Sequence, residues 1–329
     1  MISATVSALE APSLSERAGL IGANRDIAAH DALMNGLFGM NAVEVGGLPS
    51  RSLPLAFPFA VSAWNLERCL FVEESAAHLA SSEPDLVLLS EMDSGMARTG
   101  QRHTTADLAG ILRMAYAYGV EFVEMGLGSA TERDFCLDDF NEKGFHGNGL
   151  MSSAPLRDAF MIRLWGERLW RNDADQPRIG ERCAIGAVIE TEAGPFVAVS
   201  VHLESATTAA YRQRQTKELI DEVETAFPNL PVLIGGDLNT GNHAGGDFEA
   251  EGLFAMSAAR GFTRHGGPLD RMTTRPSLIT RWPERAMKLD WFLARGLAIG
   301  HCAIVSSLDH TGRPLSDHDF ITCRIDGFA

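Results

Sequence analysis

Short apolar segments that end in a polar residue recur along this chain, and they restrict the fold more than any other feature of the sequence. The clearest example is Pro231-Val-Leu-Ile-Gly-Gly-Asp237-Leu-Asn239-Thr240. Its apolar residues predict a short buried strand, and its two glycines predict a turn at the end of that strand. Because alternate residues of an extended backbone lie on the same side, Asp237 and Asn239 can both face one oxygen-rich ligand, water or hard metal ion.

The same arrangement recurs at other predicted strand ends. Each of these strands begins or ends with a residue that can bind a metal ion or a phosphate: Asn65, Glu91, Arg182, His202, Asp290, and Asp317 with His318. Folds usually support a site by placing catalytic groups on loops at one rim of a rigid sheet. The sequence therefore predicts that these groups form one site at such a rim.

Strand and helix patterns alternate from Phe59 onward. Apolar and β-branched runs predict strands at 59–65, 85–91, 119–124, 149–152, 182–191, 195–202, 289–294, 299–306 and 320–325. Helical spacing predicts helices at 72–80, 105–118, 209–227 and 248–259. The segment 155–180 is rich in Arg, Trp and Asp, and we predict that it forms a long substrate-side loop. Hairpins mixed with crossover helices predict the α/β class, with helices packed outside two stacked, mixed β-sheets.

Residues 1–57 are predicted to form an extension ahead of a main domain at 58–329. Helical spacing at 13–20 and 27–38 predicts two short helices, and the glycines and prolines that follow predict an irregular arm. The extension can pack on the domain, cover the mouth of the site or mediate oligomerisation. The sequence leaves these three alternatives open and does not specify an oligomeric state.

The charge of the chain bears on its partners. The 329 residues have a net charge of −15 and a pI near 5.1. A protein that binds the phosphates of many nucleotides normally presents a basic face, so long nucleic acid is disfavoured as a partner. Net charge does not exclude a local basic pocket, and a small phosphorylated substrate is compatible with it.

The five cysteines are odd in number and widely spaced, and they lack the C-x-x-C or Cys/His spacing of a zinc site. This pattern favours a reduced cytoplasm. Residues 1–20 include Glu10 and Glu16 and no continuous apolar segment, so we expect neither a signal peptide nor a membrane anchor there. No apolar stretch approaches the eighteen residues of a membrane span.

Seven motifs together resemble the endonuclease/exonuclease/phosphatase superfamily, in both order and spacing over about residues 58–329. They are Trp64-Asn65-Leu, Ser90-Glu91, Gly147-Asn148-Gly-Leu-Met-Ser, Val201-His202-Leu, Gly236-Asp237-Leu-Asn239, Leu289-Asp290-Trp-Phe and Ser316-Asp317-His318. The resemblance implies a four-layer α/β sandwich and metal-assisted cleavage of a phosphoester. Substrates in this superfamily range from DNA to lipids.

The resemblance also implies a metal site. Glu91 resembles the superfamily's metal ligand, with Asn65 beside it and Asp317 as a further ligand. Their oxygen atoms suit Mg²⁺, or Mn²⁺ in its place. The cation would polarise a phosphoryl oxygen and offset charge in the transition state.

The remaining roles follow from the same resemblance. Asp237 would orient or deprotonate the attacking water, and Asn239 would bind that water or the phosphate. His318 would contact the phosphate while Asp290 holds its imidazole in one tautomer. His202 resembles the second active-site histidine, and the sequence does not decide which group is the base. The substrate-binding candidates are Arg182, which faces the phosphate in the family pattern, together with Asn148 and Arg102.

Two features depart from the family pattern. Asp93 and Glu204 each add a carboxylate two residues beyond Glu91 and His202, where they can enlarge a metal site, bind polar substrate groups or lie in solvent. The donor-rich segment 98–104 can recognise an anionic or sugar-like substrate, or form a solvated helix start.

Three functions are compatible with these observations. The first is a phosphoesterase acting on a small molecule or a lipid headgroup, and it is favoured by the acidic charge. The second is a DNA or RNA nuclease, for which the sequence lacks a basic groove with interleaved aromatic residues. The third is a catalytically silent binding scaffold, which the complete set of site residues disfavours.

Overall fold

Two β-sheets form the centre of the molecule, as a computed structural model shows for residues 1–168, 176–242, 245–281 and 286–329. The strands in chain order are β1 Thr5–Val6, β2 Val43–Gly47, β3 Phe59–Arg68, β4 Leu86–Ser94, β5 Ala115–Glu124, β6 Phe145–Ser152, β7 Leu156–Arg163, β8 Arg178–Gly180, β9 Cys183–Thr191, β10 Gly194–His202, β11 Val232–Asp237, β12 Thr263–His265, β13 Asp290–Arg295, β14 Leu297–Val305 and β15 Phe320–Phe328.

Helices flank these sheets. The α-helices are α1 Leu14–Gly22, α2 Ile27–Gly36, α3 Val72–Ala80, α4 Thr104–Leu112, α5 Ala130–Arg133, α6 Ala209–Ala226 and α7 Gly252–Ala259. Short 3₁₀ turns lie at Phe38–Met40, Ala97–Thr99 and Phe248–Ala250. No helix in the described part of the chain combines the length and apolarity needed to cross a bilayer.

The first sheet has the strand order β1-β2-β5-β6-β4-β3-β15-β14, with β8 paired to β5. The second sheet has the order β12-β13-β11-β10-β9-β7. Both sheets are mixed, because β3 runs parallel to β4 in the first and β10 runs parallel to β11 in the second. The prediction of two mixed sheets between helical layers is therefore confirmed.

Three apolar clusters correspond to the interfaces of this sandwich. The middle cluster joins the two sheets, as Ile321 of β15 and Phe196 of β10 illustrate. A second cluster packs Leu79 of α3 against the first sheet, and a third packs Ile220 of α6 against the second. Burying aliphatic and aromatic side chains in this way is the main favourable term in folding.

The N-terminal extension packs on the domain. Its two predicted helices are confirmed, and α1 begins with a capping box between Ser13 and Glu16. Strand β2 pairs with β5, so part of the predicted irregular arm is a strand of the first sheet. Leu9 and Met40 are buried in the core against that sheet.

Two secondary-structure predictions were wrong. The helix predicted at 105–118 ends at Leu112, and its last residues belong to β5, where they pair with β2 and β6. The loop predicted at 155–180 contains β7, which pairs with β9. The outward Arg157 and Asp158 concealed the strand pattern there; residues 169–175 lie outside the described part.

Candidate active site

Neighbouring strands of the second sheet place three of the predicted site residues side by side. His202 ends β10 and pairs in register with Asp237 at the end of β11. Asp237 in turn pairs with Asp290, the first residue of β13. The rim predicted from separate strand ends is therefore continuous across β10, β11 and β13.

A cleft of about 270 Å³ lies at this rim. It gathers predicted site residues from both sheets: Glu91, Arg182, His202, Asp237, Asn239, Asp317 and His318. Other polar residues share its lining: Ser205, Asn242, Thr274, Arg275 and Thr280.

Asn65 joins the two sides of this site. Its Nδ2 donates to Oε1 of Glu91 at 3.0 Å and to Oδ2 of Asp237 at 3.1 Å. Its Oδ1 accepts the backbone N–H of Glu67 at 3.0 Å, which fixes the direction of the amide. One buried side chain thus sets the spacing between the predicted metal ligand and the predicted water-binding carboxylate.

Glu91 is held as an anion. Burial would raise the pKa of Glu91, but the charge of Arg68, with the hydrogen bond from Asn65, holds it well below its usual range. Arg68 forms an ion pair with Glu91 and another with Glu132 at 2.8 Å. Glu91 also has a left-handed backbone, with φ of 58°. Such backbones are costly for residues other than glycine and are concentrated at functional sites.

Glu67 faces Asp317 beside Glu91. Oε2 of Glu67 accepts the backbone N–H of Asp317 at 3.1 Å. Burial and the charge of Glu67 raise the pKa of Asp317 well above its usual range, and burial likewise raises the pKa of Glu67. Glu67 is buried and Asp317 partly buried, and the Glu91 anion beside them further raises the pKa of both. These carboxylates form a donor set that suits a hard divalent cation.

His318 and Asp290 form a buried pair in which Nδ1 lies 2.8 Å from Oδ2. The Nε2 atom of His318 points toward the cleft, 3.6 Å from Oδ2 of Asp237. Burial would lower the pKa of His318, but Asp290, Asp237 and Asp317 outweigh it and raise the pKa well above its usual value. His318 therefore offers a charged N–H donor at the cleft.

The pKa of His202 is shifted in the opposite direction from that of His318. Nε2 of His202 lies 3.5 Å from Oδ2 of Asp237 and 3.9 Å from Oε1 of Glu91. Burial and the neighbouring Arg182, whose Nη1 lies 2.9 Å from Nδ1, lower its pKa to about 3. His202 is therefore neutral near pH 7.

Arg182 is fixed by two carboxylates as well as by His202. Its Nη1 donates to Glu121 at 3.3 Å and its Nε donates to Glu204 at 3.4 Å. Glu204 therefore supports Arg182 and does not enlarge a metal site. Glu121 was missed by the sequence analysis because it lies inside the predicted strand 119–124 and not at either end of it.

The backbone at Asn239 holds Asp237 in place. The N–H of Asn239 donates to Oδ1 of Asp237 at 2.9 Å, and Nδ2 of Asn239 donates to the carbonyl of Leu203 at 2.9 Å. Asn239 has a φ of 50°, a left-handed conformation that asparagine tolerates better than most residues. This turn leaves Oδ2 of Asp237 directed at Asn65 and the two histidines.

Comparison with known proteins identifies the family of this chain. The model of the Endonuclease/Exonuclease/phosphatase family matches residues 63–318, which is more than half of the chain. The chain belongs to this family. A comparison with curated proteins finds no match.

Solved structures of this family share the fold. One is an endonuclease/exonuclease/phosphatase from Beutenbergia cavernae, at 15% identity and TM-score 0.56, covering 83% of this chain and 72% of that one. The human Nocturnin catalytic domain with bound sulfate has 16% identity and TM-score 0.57, covering 87% and 97%. Truncated TDP2 from Caenorhabditis elegans has 14% identity and TM-score 0.53, covering 83% and 98%. At these identities the likeness concerns the fold alone.

Two of the predicted substrate-binding residues lie outside the cleft of this family member. Arg102 is partly exposed and pairs with Asp107 at 2.6 Å and Glu73 at 2.8 Å. Asn148 is buried, and its Nδ2 donates to the carbonyl of Cys183 at 2.8 Å. Neither residue lines the cleft, so the geometry gives their predicted role no support.

The added carboxylate Asp93 and Arg98, from the donor-rich segment after it, are buried and pair with each other. Arg98 donates to both oxygens of Asp93, at 2.7 and 2.8 Å, and to Glu124 at 2.8 Å. His146 completes this buried network, with Nδ1 2.9 Å from Asp93. Asp93 and Arg98 therefore pair with each other and are not available to a metal ion or substrate.

Proposed function

We propose that this chain is a divalent-metal-dependent phosphoesterase that hydrolyses a small-molecule or lipid-headgroup phosphoester by metal-assisted attack of water. The position of Asp237 is the observation that carries the proposal. Its Oδ2 accepts a hydrogen bond from Asn65 at 3.1 Å and lies 3.5 and 3.6 Å from Nε2 of His202 and His318. An attacking water and a phosphoryl group can meet at such a point.

Glu91, Asn65, Asp317 and Glu67 would hold the cation, Mg²⁺ or Mn²⁺. The anionic Glu91 and the crowded pair of Asp317 and Glu67 supply the oxygen donors that such ions prefer. When bound, the cation supplies positive charge that offsets the charge developing on the phosphoryl oxygens.

Asp237 would hold the attacking water and accept its proton. This assignment follows from the charges of the two histidines: His318 is protonated and cannot accept a proton, whereas the neutral His202 is engaged at Nδ1 by Arg182. His318 would donate from Nε2 to a phosphoryl oxygen, as a charge-assisted hydrogen bond. Asn239 and Asn65 would keep Asp237 in the position that these steps require.

The cleft favours a small substrate. A volume of about 270 Å³ accommodates a phosphoryl group with a small organic moiety. The net charge of −15 gives no long-range attraction for a polyanion. Arg275 lines the cleft with Asp317 and His318, and Asp319 holds its Nε at 2.7 Å and its Nη2 at 3.1 Å. Arg275 would bind an anionic group of the substrate other than the reacting phosphoryl.

A reduced cytoplasm is our proposed location, since the five cysteines are free in the structure. A panel of phosphomonoesters, phosphodiesters and plasmid DNA, assayed with Mg²⁺ and with Mn²⁺, tests the proposed function. We expect turnover of a small ester that chelation abolishes and either cation restores. Full activity in a chelator, with metal content verified as nil, would contradict the mechanism.

The same panel separates the two alternative functions. Rapid nicking of plasmid at low enzyme concentration, faster than any small ester is cleaved, would favour a nuclease. Metal binding without turnover of any substrate would favour a silent scaffold. The duplex-DNA affinity that we expect at physiological salt is weak and lacks the steep salt dependence of a protein that contacts many phosphates.

A further inference from the structure

Cys302 and Cys323 lie directly opposite each other on two antiparallel strands, β14 and β15. Directly opposed residues in such a pair have Cα atoms about 4.5–5.5 Å apart. Disulfides form between Cα atoms about 4.4–6.8 Å apart. The two side chains share one face of the sheet, because directly opposed residues of paired strands point to the same side. The strands therefore hold two free thiols at a separation that a disulfide can bridge.

The two cysteines differ in exposure. Cys323 is only 2% exposed, whereas Cys302 is half-buried. Strand β14 is the last strand of the first sheet, so Cys302 lies at an edge that small solutes can reach. This asymmetry gives one thiol that an external reagent can attack and a second thiol behind it.

Two histidines lie near Cys302, the half-buried member of the pair. His301 precedes it on β14, and His265 lies on β12 of the other sheet. The interaction with Cys323, followed by those with His265 and His301, lowers the pKa of Cys302. The interaction with Cys302, together with burial, raises the pKa of Cys323. Because the thiolate is the reactive form, Cys302 is the nucleophile of the pair.

The other cysteines lack this combination. Burial raises the pKa of Cys69 above its usual range and that of Cys183 to about 12. Burial also raises the pKa of Cys136, which is partly exposed. Cys136 therefore serves as an internal reference for a partly exposed thiol whose pKa is not lowered.

We propose that Cys302 and Cys323 are a modification site, a dithiol that hydroperoxides convert reversibly to a disulfide. The Cys302 thiolate attacks the terminal oxygen of the peroxide, the O–O bond breaks, and the sulfur becomes a sulfenic acid while hydroxide leaves from hydrogen peroxide or an alkoxide from an organic hydroperoxide. The Cys323 thiol then displaces the sulfenic hydroxyl group as water and forms the S–S bond. The peroxide is reduced by two electrons and the two thiols are oxidised by two, and a low-molecular-weight thiol restores them.

The test is mass spectrometry of the full chain after graded hydrogen peroxide, followed by N-ethylmaleimide and trypsin. Because Arg313 precedes a proline, tryptic peptide 296–324 contains both cysteines. We expect this peptide to lose two hydrogens and to take up no maleimide at a peroxide dose about tenfold below that which oxidises Cys136. Dithiothreitol should restore two maleimide-reactive thiols.

Two variants establish the order of the steps. Cys323→Ser should leave a sulfenic acid at Cys302 that dimedone traps, and Cys302→Ser should show no such adduct at Cys323 at the same dose. The proposal is overturned if wild-type peptide 296–324 keeps both thiols while Cys136 is oxidised. It is equally overturned if dimedone labels Cys323 in the Cys302→Ser variant as fast as it labels Cys302 in the Cys323→Ser variant. The wild-type measurement decides the first point even if a variant fails to fold.

Discussion

Asp290 contacts His318 with one carboxylate oxygen, Oδ2, which lies 2.8 Å from Nδ1 of the imidazole. Its other oxygen, Oδ1, is buried without a hydrogen-bond partner among the described residues. Burying a carboxylate oxygen without a hydrogen bond costs free energy of folding, and the attraction between Asp290 and the charged His318 offsets this cost. Asp290 and His318 therefore act as one unit, in which the carboxylate keeps the imidazole charged and directed at the cleft.

The first prediction tests this unit. His318→Ala should lower turnover about 10²–10⁴-fold, the usual range for a positioned acid–base group. Asp290→Asn should cause a comparable or smaller loss, because the imidazole remains but is wrongly held. The double variant should lose much less than the product of the two single losses. Turnover on one substrate at saturating metal is the measurement, and multiplicative losses would show that the residues act independently.

The second prediction concerns Asn65, whose Nδ2 donates to both Glu91 and Asp237. Asn65→Ala leaves these carboxylates without their shared donor. We expect the Mg²⁺ concentration for half-maximal activity to rise and turnover to fall, each about 10–100-fold. Asn41→Ala is a matched control, because Nδ2 of Asn41 likewise donates more than one hydrogen bond, to the carbonyls of Met34 at 2.8 Å and Leu37 at 2.9 Å, but Asn41 lies outside the cleft. An Asn65→Ala enzyme with unchanged metal dependence would contradict the role of Asn65 in spacing the site.

The site could be predicted from sequence where its signal is local. Asp237 and Asn239 lie two residues apart at the end of one strand, so a single segment predicts both residues. The same spacing links Asn65 to Glu67, and it could have identified Glu67. The register that sets His202 beside Asp237 and Asp290 is a property of strand pairing between distant segments, which no local pattern specifies.

The wrong helix prediction has the same origin, which is strand pairing between distant segments. The helix predicted through Tyr118 failed because pairing with β6 and β2 outweighs helical propensity in this segment. The sequence predicts Arg102 as a substrate-binding residue, and it leaves open whether the segment 98–104 recognises a substrate or forms a solvated helix start. The fold supplies Arg102 and Arg98 with carboxylate partners nearby. Ion pairs such as Arg68 with Glu132 join residues that are far apart in the chain, so the sequence does not reveal them.

The third prediction concerns stability against acid. Glu44, on β2, accepts hydrogen bonds from the N–H of Leu9 at 2.7 Å and from Tyr116 at 2.8 Å, and pairs with His103 at 2.9 Å. Burial would raise the pKa of Glu44, but His103 and these hydrogen bonds lower it from 4.5 to about 2. A lowered pKa in the folded state contributes stability above the unfolded pKa, and that contribution is lost as pH falls toward 2.

Glu44→Gln should therefore destabilise the protein by about 2–3 kcal/mol at pH 7. The difference from wild type should shrink below about pH 4.5 and disappear near pH 2. Urea unfolding at a series of pH values measures it, with Glu10→Gln, an exposed residue of the same extension, as the control. A difference that does not vary with pH would show that the ionised carboxylate is not what stabilises the extension.

The last prediction tests Arg275 as a determinant of substrate choice. Asp319 fixes the Arg275 guanidinium through two hydrogen bonds, of 2.7 and 3.1 Å, at the edge of the cleft. For a phosphoester with a second anionic group, Arg275→Met should lower kcat/KM about 10–100-fold, mainly through KM, because a hydrogen bond to a charged group is lost. For a phosphoester with an uncharged leaving group the loss should be about twofold or less, and Arg275→Lys should recover part of the kcat/KM lost on the anionic ester.

Arg281→Met is the matched control, since Arg281 is 61% exposed and pairs with Asp134. Thermal unfolding of each variant shows whether loss of the Asp319 contact has weakened the fold, and equal losses on both esters in a stable variant would mean that Arg275 does not select the substrate.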